Sequence, residues 1–277
     1  MKKITEFMKA HPAFTGFTAM VVDVTAIKVL NPDGHIYGMA LLRAVLFVAM
    51  CVFVYHISGN KVFENANGKN VGYVLKWNIL AMIYVLPLLI LGVFNMAKEG
   101  TKMVEDWPLR LLGTVLVCLC VGLLEEIVFR VALNEGLLYA FRNSKHIFLW
   151  SAIISSFIFG FVHIIGADIS SPSAVAAAAL KTITTAMGGL FWLILYWKTR
   201  NLLAIGICHG LYDFCTMIMG NLTDAEVQIG GAENYAAGNF ITIGAYSIEI
   251  VFTLVGLLIL WFKVGRKIDF EEIRKTW

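Results

Sequence analysis

The chain has 277 residues, of which 59% are hydrophobic and only 15% are charged. A soluble domain is about 45–50% apolar and about 25% charged, so the composition excludes an ordinary water-soluble fold. The formal net charge of +3 is too small to indicate a nucleic-acid partner, and none is expected. All five cysteines fall inside apolar runs, where they are typical of buried reduced thiols rather than of an extracellular disulfide framework.

Apolar runs that last for most of 20 residues recur along the whole sequence. A bilayer core about 30 Å thick needs about 20 helical residues to cross it. We therefore predict an all-α protein, a polytopic transmembrane helical bundle of about eight spans. The first span is the weakest, because Asp23 and Lys28 interrupt it, and it could instead be an interfacial helix. The predicted helices lie near 13–30, 36–57, 72–96, 109–133, 147–166, 174–197, 202–220 and 239–263.

The charges between these helices indicate the orientation. Lys and Arg occur before the first helix, after the last one and in alternate loops, whereas loops 31–35, 167–173 and 221–238 contain neither. Basic segments stay on the cytoplasmic side, so we predict a multi-pass protein, of the plasma membrane, with both termini cytoplasmic. No linker or repeat divides the chain into parts. We predict a single domain over 1–277 with a motif-bearing core at about 109–220, and we interpret the polar loop 221–238 as a connector rather than a mobile flap.

The fourth span carries three charges in an otherwise apolar helix: Glu125, Glu126 and Arg130. Ionisable groups at membrane depth cost about 2.5–3.5 kcal/mol each, so they usually pair or have a function. Glu126 and Arg130 are four residues apart and share a helix face. Glu125 points about 100° away and is left without that cation. The pattern favours a supporting Glu126–Arg130 pair and a free base at Glu125; a purely structural ion pair is the alternative.

Two further motifs carry histidines. In the fifth span, Phe159 and His163 share a face, and Gly160 allows close approach of another helix. In the seventh span, His209 and Asp213 are again four residues apart, so the carboxylate could fix the tautomer of the imidazole or share a cavity with it. Each histidine alone could be a hydrogen-bonded packing residue. Three such motifs on three spans favour a common site.

Glu125-Glu126-x-x-x-Arg130, Phe159-x-x-x-His163 and His209-x-x-x-Asp213 together resemble the three-motif signature of the CAAX-processing and bacteriocin-processing protease family, the CPBP or Abi family. The resemblance implies an eight-helix intramembrane endopeptidase. It implies that Glu125, with His163, activates a water, and that His209 and the residue at 213 stabilise the oxyanion. The prenyl-protein branch of the family typically has Asn at the last position, where this sequence has Asp213. Asp213 would have to be protonated, orient His209 or bind a metal ion.

The residue types permit two catalytic routes. In one, Glu125 is the base of a metal-free, glutamate-type reaction, which the resemblance favours. In the other, candidates among His163, His209, Glu125 and Asp213 hold Zn²⁺ with an open position. The expected substrate is a membrane-associated peptide or protein, which could be lipidated, and the expected surroundings are the lipid bilayer.

Two other functions remain as alternatives. Some members of the family are thought to be non-catalytic membrane binding or immunity proteins. A proton-coupled transporter would also use buried Glu, His and Asp, and Arg43, Lys181 and Glu249 add charges to other spans. Snorkelling or structural pairing is the simpler interpretation of these three. The motifs also crowd into the C-terminal half without an inverted repeat, which argues against transport.

Overall fold

The structure is a computed structural model, and nearly all of its described residues are helical. No strand occurs among them, and one isolated antiparallel bridge joins Met103 to Thr223. The predicted all-α polytopic bundle is therefore confirmed. The described residues are 2–30, 35–59, 63, 65, 68–167, 169–223 and 240–275.

Eleven α-helices can be assigned in the described part of the chain. They are α1 (Lys2–Ala10), α2 (Pro12–Leu30), α3 (Ile36–Ser58), α4 (Val71–Glu99), α5 (Trp107–Glu126), α6 (Glu135–Ala140), α7 (Ile147–Val162), α8 (Pro172–Thr199), α9 (Leu202–Leu222), α10 (Phe240–Lys263) and α11 (Phe270–Lys275). A π-helical segment, Ile127–Asn134, joins α5 to α6 without a break. The predicted helix 109–133 is thus part of a longer helix, Trp107–Ala140, of 34 residues.

Seven of these helices are long and apolar enough to cross a bilayer, judged by length and composition: α2, α3, α4, the continuous helix Trp107–Ala140, α8, α9 and α10. The interrupted first run is one unbroken helix, α2. The remaining predicted span corresponds to α7, which has 16 residues. A full crossing needs about 20 residues. The protein is an integral, multi-pass membrane protein.

The predicted helix 147–166 is wrong at its C-terminal end, because α7 stops at Val162. The chain then tightens into turns and reaches Gly166 with φ of 89°, a left-handed conformation that favours glycine. The ammonium group of Lys28, on α2, donates to the carbonyl of Ile165 in this turn. His163 is therefore the first residue beyond the end of α7.

Two of the predicted loops fall largely outside the described residues. These are 31–34 of the loop 31–35 and 224–238 of the loop 221–238, so the choice between connector and flap stays a prediction.

A close helix contact that bears on the motifs joins α5 to α9. A Cβ atom added to Gly122 would lie 2.4 Å from the Gly206 carbonyl oxygen, and one added to Gly210 would lie 2.7 Å from the Cys118 carbonyl oxygen. Only glycine permits this backbone contact, as in other membrane helix pairs with small residues at the interface. Gly122 lies one turn before the two glutamates, and Gly210 directly follows His209, so the contact brings these groups together.

A second close contact holds α7 against α8. A Cβ atom on Gly160 would lie 2.3 Å from the Thr182 carbonyl oxygen, so these two backbones also touch. The buried side chain of Asn134 reinforces this region from the π-helical segment. Its amide donates to Ser155 Oγ at 3.1 Å, and its oxygen accepts from the Trp197 indole at 3.1 Å. Three helical segments are thereby fixed around the motif residues.

Candidate active site

Glu125 and Glu126 are the last residues of α5, immediately before the π-helical segment. The wider π turn is rare and occurs mostly as short insertions in α-helices, frequently at functional sites. The segment packs against α2, where a Cβ on Gly16 would lie 2.0 Å from the Ala132 carbonyl oxygen. Sequence periodicity gave no signal for the widening, and this segment was predicted as a regular helix.

Glu126 and Arg130 form a fully buried ion pair, with side chains 0% and 1% exposed. Arg130 Nη2 donates to Glu126 Oε1 at 3.1 Å, and Nε lies 3.0 Å from Oε2. The guanidinium also lies over the Phe159 ring, 4.7 Å from its centroid. The same Glu126 oxygen accepts from His209 Nδ1 at 2.8 Å. The pair therefore does more than neutralise charge, because it orients the imidazole of another helix.

His209 presents its second nitrogen to two other carboxylates. Nε2 lies 3.7 Å from Glu125 Oε2 and 3.8 Å from Asp213 Oδ1. A carboxylate paired with arginine can only accept a hydrogen bond. His209 Nδ1 must therefore be protonated and donate to Glu126. The indole of Trp192, on α8, stacks on the imidazole with 5.4 Å between ring centroids and 21° between planes. The sequence motifs gave no indication of Trp192.

His163 approaches the other carboxylate oxygen of Glu125. Its Nδ1 lies 2.7 Å from the Phe159 carbonyl oxygen, which can only accept, so this nitrogen carries the proton. Nε2 is then free and lies 3.7 Å from Glu125 Oε1. The Phe159 ring packs against the imidazole with 4.6 Å between centroids. The predicted motif neighbours Phe159 and His163 are thus in contact, through both backbone and ring.

The structure brings together all four residues that the sequence singled out, with Glu125 at the centre. Glu125 and His163 are each 23% exposed, Asp213 is 18% exposed, and His209 is 7% exposed. Glu125 Oε2 and Asp213 Oδ2 have no hydrogen-bond partner among the described residues. Separations of 3.7 Å are too long for direct hydrogen bonds and suit a bridging water.

A cavity of about 160 Å³ adjoins Glu125 and His163. Its other wall carries Asp23 and Lys28, from α2, and Arg43, from α3. In the sequence, Asp23 and Lys28 were interruptions of the first apolar run, and Arg43 was a charge that suited snorkelling, structural pairing or transport. A charge in an apolar run was the available signal, but nothing in the sequence indicated which helices would meet.

The charged side chains of α8 and α10 have partners of their own. Glu249 accepts a hydrogen bond from the Tyr212 hydroxyl at 3.3 Å, and Lys181 lies over the ring of Tyr246, 5.9 Å from its centroid. A larger cavity of about 800 Å³ is lined by the Glu135–Arg200 ion pair but by none of the four central residues.

Within the described residues, no group of three or more His, Cys, Asp or Glu side chains is arranged to hold a metal ion.

Comparison with known protein families gives a match for part of the chain. Residues 107–215 match the family model described as type II CAAX prenyl endopeptidase Rce1-like. The matched segment runs from the start of α5 to two residues beyond Asp213, and it covers well under half of the chain. No curated protein and no solved structure matches the sequence. The resemblance of the three motifs is confirmed, because the matched residues 107–215 contain all three motifs and the Rce1-like model belongs to the CPBP family.

Proposed function

We propose that this protein is an intramembrane endopeptidase that hydrolyses a membrane-associated peptide or protein with a water activated by Glu125 and His163. The observation that carries the proposal is the position of the Glu125 carboxylate, each of whose two oxygens lies 3.7 Å from the imidazole nitrogen of a different histidine. Peptide hydrolysis needs a base for the water and a donor for the oxyanion. One histidine can help Glu125 to activate the water, and the other can donate a hydrogen bond to the oxyanion.

The Glu125–His163 side suits a nucleophilic water. Both Glu125 Oε1 and His163 Nε2 can accept a hydrogen bond, since Nδ1 of the imidazole is already the donor to Phe159. A water at about 2.8 Å from each would donate both its protons to this pair. Its lone pairs then remain free to attack the scissile carbonyl carbon. Glu125 takes the water proton as the carbon–oxygen bond forms, and passes it to the leaving amine nitrogen as the carbon–nitrogen bond breaks.

The His209–Asp213 side suits the oxyanion. An oxyanion donor needs a proton on His209 Nε2, so the role requires the imidazolium form, with Nδ1–H still directed at Glu126. Asp213 faces this same nitrogen, 3.8 Å away. An ionised Asp213 would repel the oxyanion, whereas a protonated one adds a second donor. We propose that Asp213 acts in its protonated form. It is not needed to orient His209, because Glu126 holds the other nitrogen.

The metal-dependent route makes a different prediction about chelation. Zn²⁺ needs three or more protein ligands about 2.0–2.2 Å away, and histidines bind it through a nitrogen that carries no proton. His163 Nε2 would meet this condition, and His209 Nε2 would do so only in its neutral form. We favour the metal-free route, in which activity survives a strong chelator.

The test is cleavage of a peptide library by the purified protein in liposomes. Wild type is compared with Glu125→Gln and with Glu249→Gln, which alters a carboxylate of another membrane helix. We expect cleavage by wild type and Glu249→Gln, and none by Glu125→Gln. An inactive wild type, or an active Glu125→Gln, would contradict the proposal and favour a binding protein. Proton flux that depends on Glu249 would instead favour transport.

Two finer assignments rest on the same proposal. We propose a location in the plasma membrane. Lys and Arg in alternate loops support an orientation with both termini in the cytoplasm, which requires that the 16-residue helix α7 also crosses the bilayer. Substrates could include lipidated proteins, as the description of the matched family suggests. Including farnesylated and unmodified forms of the same peptides in the library tests that preference directly.

A further inference from the structure

The cavity beside Glu125 has a second polar wall that the proposed chemistry does not use. Asp23 and Lys28 come from α2 and Arg43 from α3, and all three precede the matched segment 107–215. Lys28 is engaged with the Ile165 carbonyl beyond α7. Asp23 and Arg43 are therefore the groups of this wall whose function needs an explanation.

Asp23 is 5% exposed, and its Oδ1 is buried without a hydrogen-bond partner among the described residues. A polar group buried without such a partner is costly, and more so at membrane depth. Arg43 donates from Nη1 to the Met39 carbonyl of its own helix at 3.2 Å. Within the described residues, no carboxylate lies at ion-pair distance from its guanidinium, which keeps several donors for another group. A ligand that both donates and accepts would complete this wall.

We propose that Asp23 and Arg43 form a subsite for the main chain of the substrate, next to the peptide bond that is cut. This inference rests on the proposed function. A peptide group fits both residues, because its N–H can donate to Asp23 and its carbonyl can accept from Arg43. The opposite charges of the two side chains favour a neutral ligand. A terminal carboxylate offers acceptors only and would face Asp23.

The surroundings make such a subsite necessary. A substrate segment that is unwound for cleavage exposes main-chain groups that lipid cannot satisfy. The cavity of about 160 Å³ lies against both Glu125 and His163, so a chain bound in it passes beside the reacting atoms. One water occupies about 30 Å³ in the liquid, so the cavity has room for more than a single water. Water also donates and accepts, so the experiment must separate a filled water pocket from a main-chain subsite.

The experiment measures binding and turnover separately. Binding of a fluorescent peptide with an apolar segment of about 20 residues is measured on the Glu125→Gln protein in liposomes, with Asp23→Ala or Arg43→Met added. We expect each addition to weaken binding by about 10- to 100-fold, the range for a hydrogen bond to a charged group. Asp106→Ala and Arg110→Met, which break an exposed pair at the start of α5, serve as controls and should stay within twofold.

A second arm changes the substrate and begins with unaltered protein, so that its first measurement does not depend on the folding of a variant. Peptide amides around the cleaved bond are replaced one at a time by esters, each of which removes one N–H donor. We expect one position, distinct from the cleaved bond, at which kcat/KM falls about tenfold, as loss of a hydrogen bond to a charged group predicts. That loss should disappear in the Asp23→Ala background, because the partner is already gone.

The outcomes distinguish this inference from the proposed function. If wild type cleaves peptides but Asp23→Ala and Arg43→Met bind as tightly as their parent, or if no ester position depends on Asp23, the subsite is wrong. A fall in kcat with unchanged binding would also overturn it and would indicate a water pocket. If wild type cleaves nothing, the proposed function fails, and the binding arm alone still decides the subsite.

Discussion

Replacing Glu126 with glutamine should separate the stability of the site from its chemistry. The substitution keeps the size of the side chain but removes the negative charge from a pair whose members are 0% and 1% exposed. Arg130 is then a buried cation without its counter-charge, and breaking one partner of such a pair costs about 3–5 kcal/mol. The free energy of unfolding of a typical domain is only about 5–15 kcal/mol, so this cost is a large part of it. We expect a marked fall in the thermal unfolding temperature.

The double variant Glu126→Met/Arg130→Met should recover that stability. Replacing a buried ion pair with apolar groups is often neutral or stabilising by about 1–4 kcal/mol. Activity should not recover, because His209 Nδ1 still lacks the carboxylate that it contacts at 2.8 Å. Loss of one oriented oxyanion donor lowers kcat by about 10²–10³. The double variant should therefore be stable and nearly inactive.

The assay combines thermal unfolding in detergent with peptide cleavage in liposomes. Asp106→Asn is the matched control, because it breaks another i,i+4 pair with arginine whose side chains are 46% and 53% exposed. Exposed pairs contribute about 0–1 kcal/mol, so this control should unfold like wild type. The reasoning is refuted if Glu126→Gln is as stable as wild type, or if the double variant regains full activity.

The remaining predictions concern packing and cofactors. Gly122→Ala should lower activity and cost about 1–3 kcal/mol of stability through overpacking, because its Cβ would lie 2.4 Å from the Gly206 carbonyl oxygen. Gly72 has open space around it, so Gly72→Ala is the control. It should leave both the unfolding temperature and activity near wild type. Trp192→Leu should lower kcat about tenfold with little change in KM, since stacking on His209 contributes about 0.5–1.5 kcal/mol; unchanged kinetics would contradict a positioning role. Incubation with a strong chelator should leave cleavage unchanged, and loss of activity that added Zn²⁺ restores would favour the metal-dependent route.

The fold class and the local pairs could be predicted because they depend on short-range patterns. The length of the apolar runs predicted the helices, and i,i+4 spacing predicted the contact between Glu126 and Arg130, now observed at 3.1 Å. These features need only the geometry of one helix. The end of α7 at Val162 was missed, because the left-handed Gly166 and the Lys28 contact follow from the turn and a distant helix.

The arrangement within the site depended on contacts between distant parts of the chain. The sequence allowed Asp213 to fix the tautomer of His209. In the structure, His209 Nδ1 instead donates a hydrogen bond to Glu126, which lies on another helix. The π-helical segment arises where Gly16 of α2 touches its backbone, which periodicity cannot reveal. Arg43 and Asp23 were visible as charges, but their meeting at one cavity depends on how α2 and α3 pack.

The central claim is that Glu125 activates the attacking water rather than binding the substrate. The most direct test measures kcat and peptide affinity together for wild type and Glu125→Gln in liposomes. We predict that kcat falls by at least about 10²–10⁴, the range for loss of a general base, while affinity stays within about threefold. A Glu125→Gln protein that loses affinity but retains kcat would contradict the account.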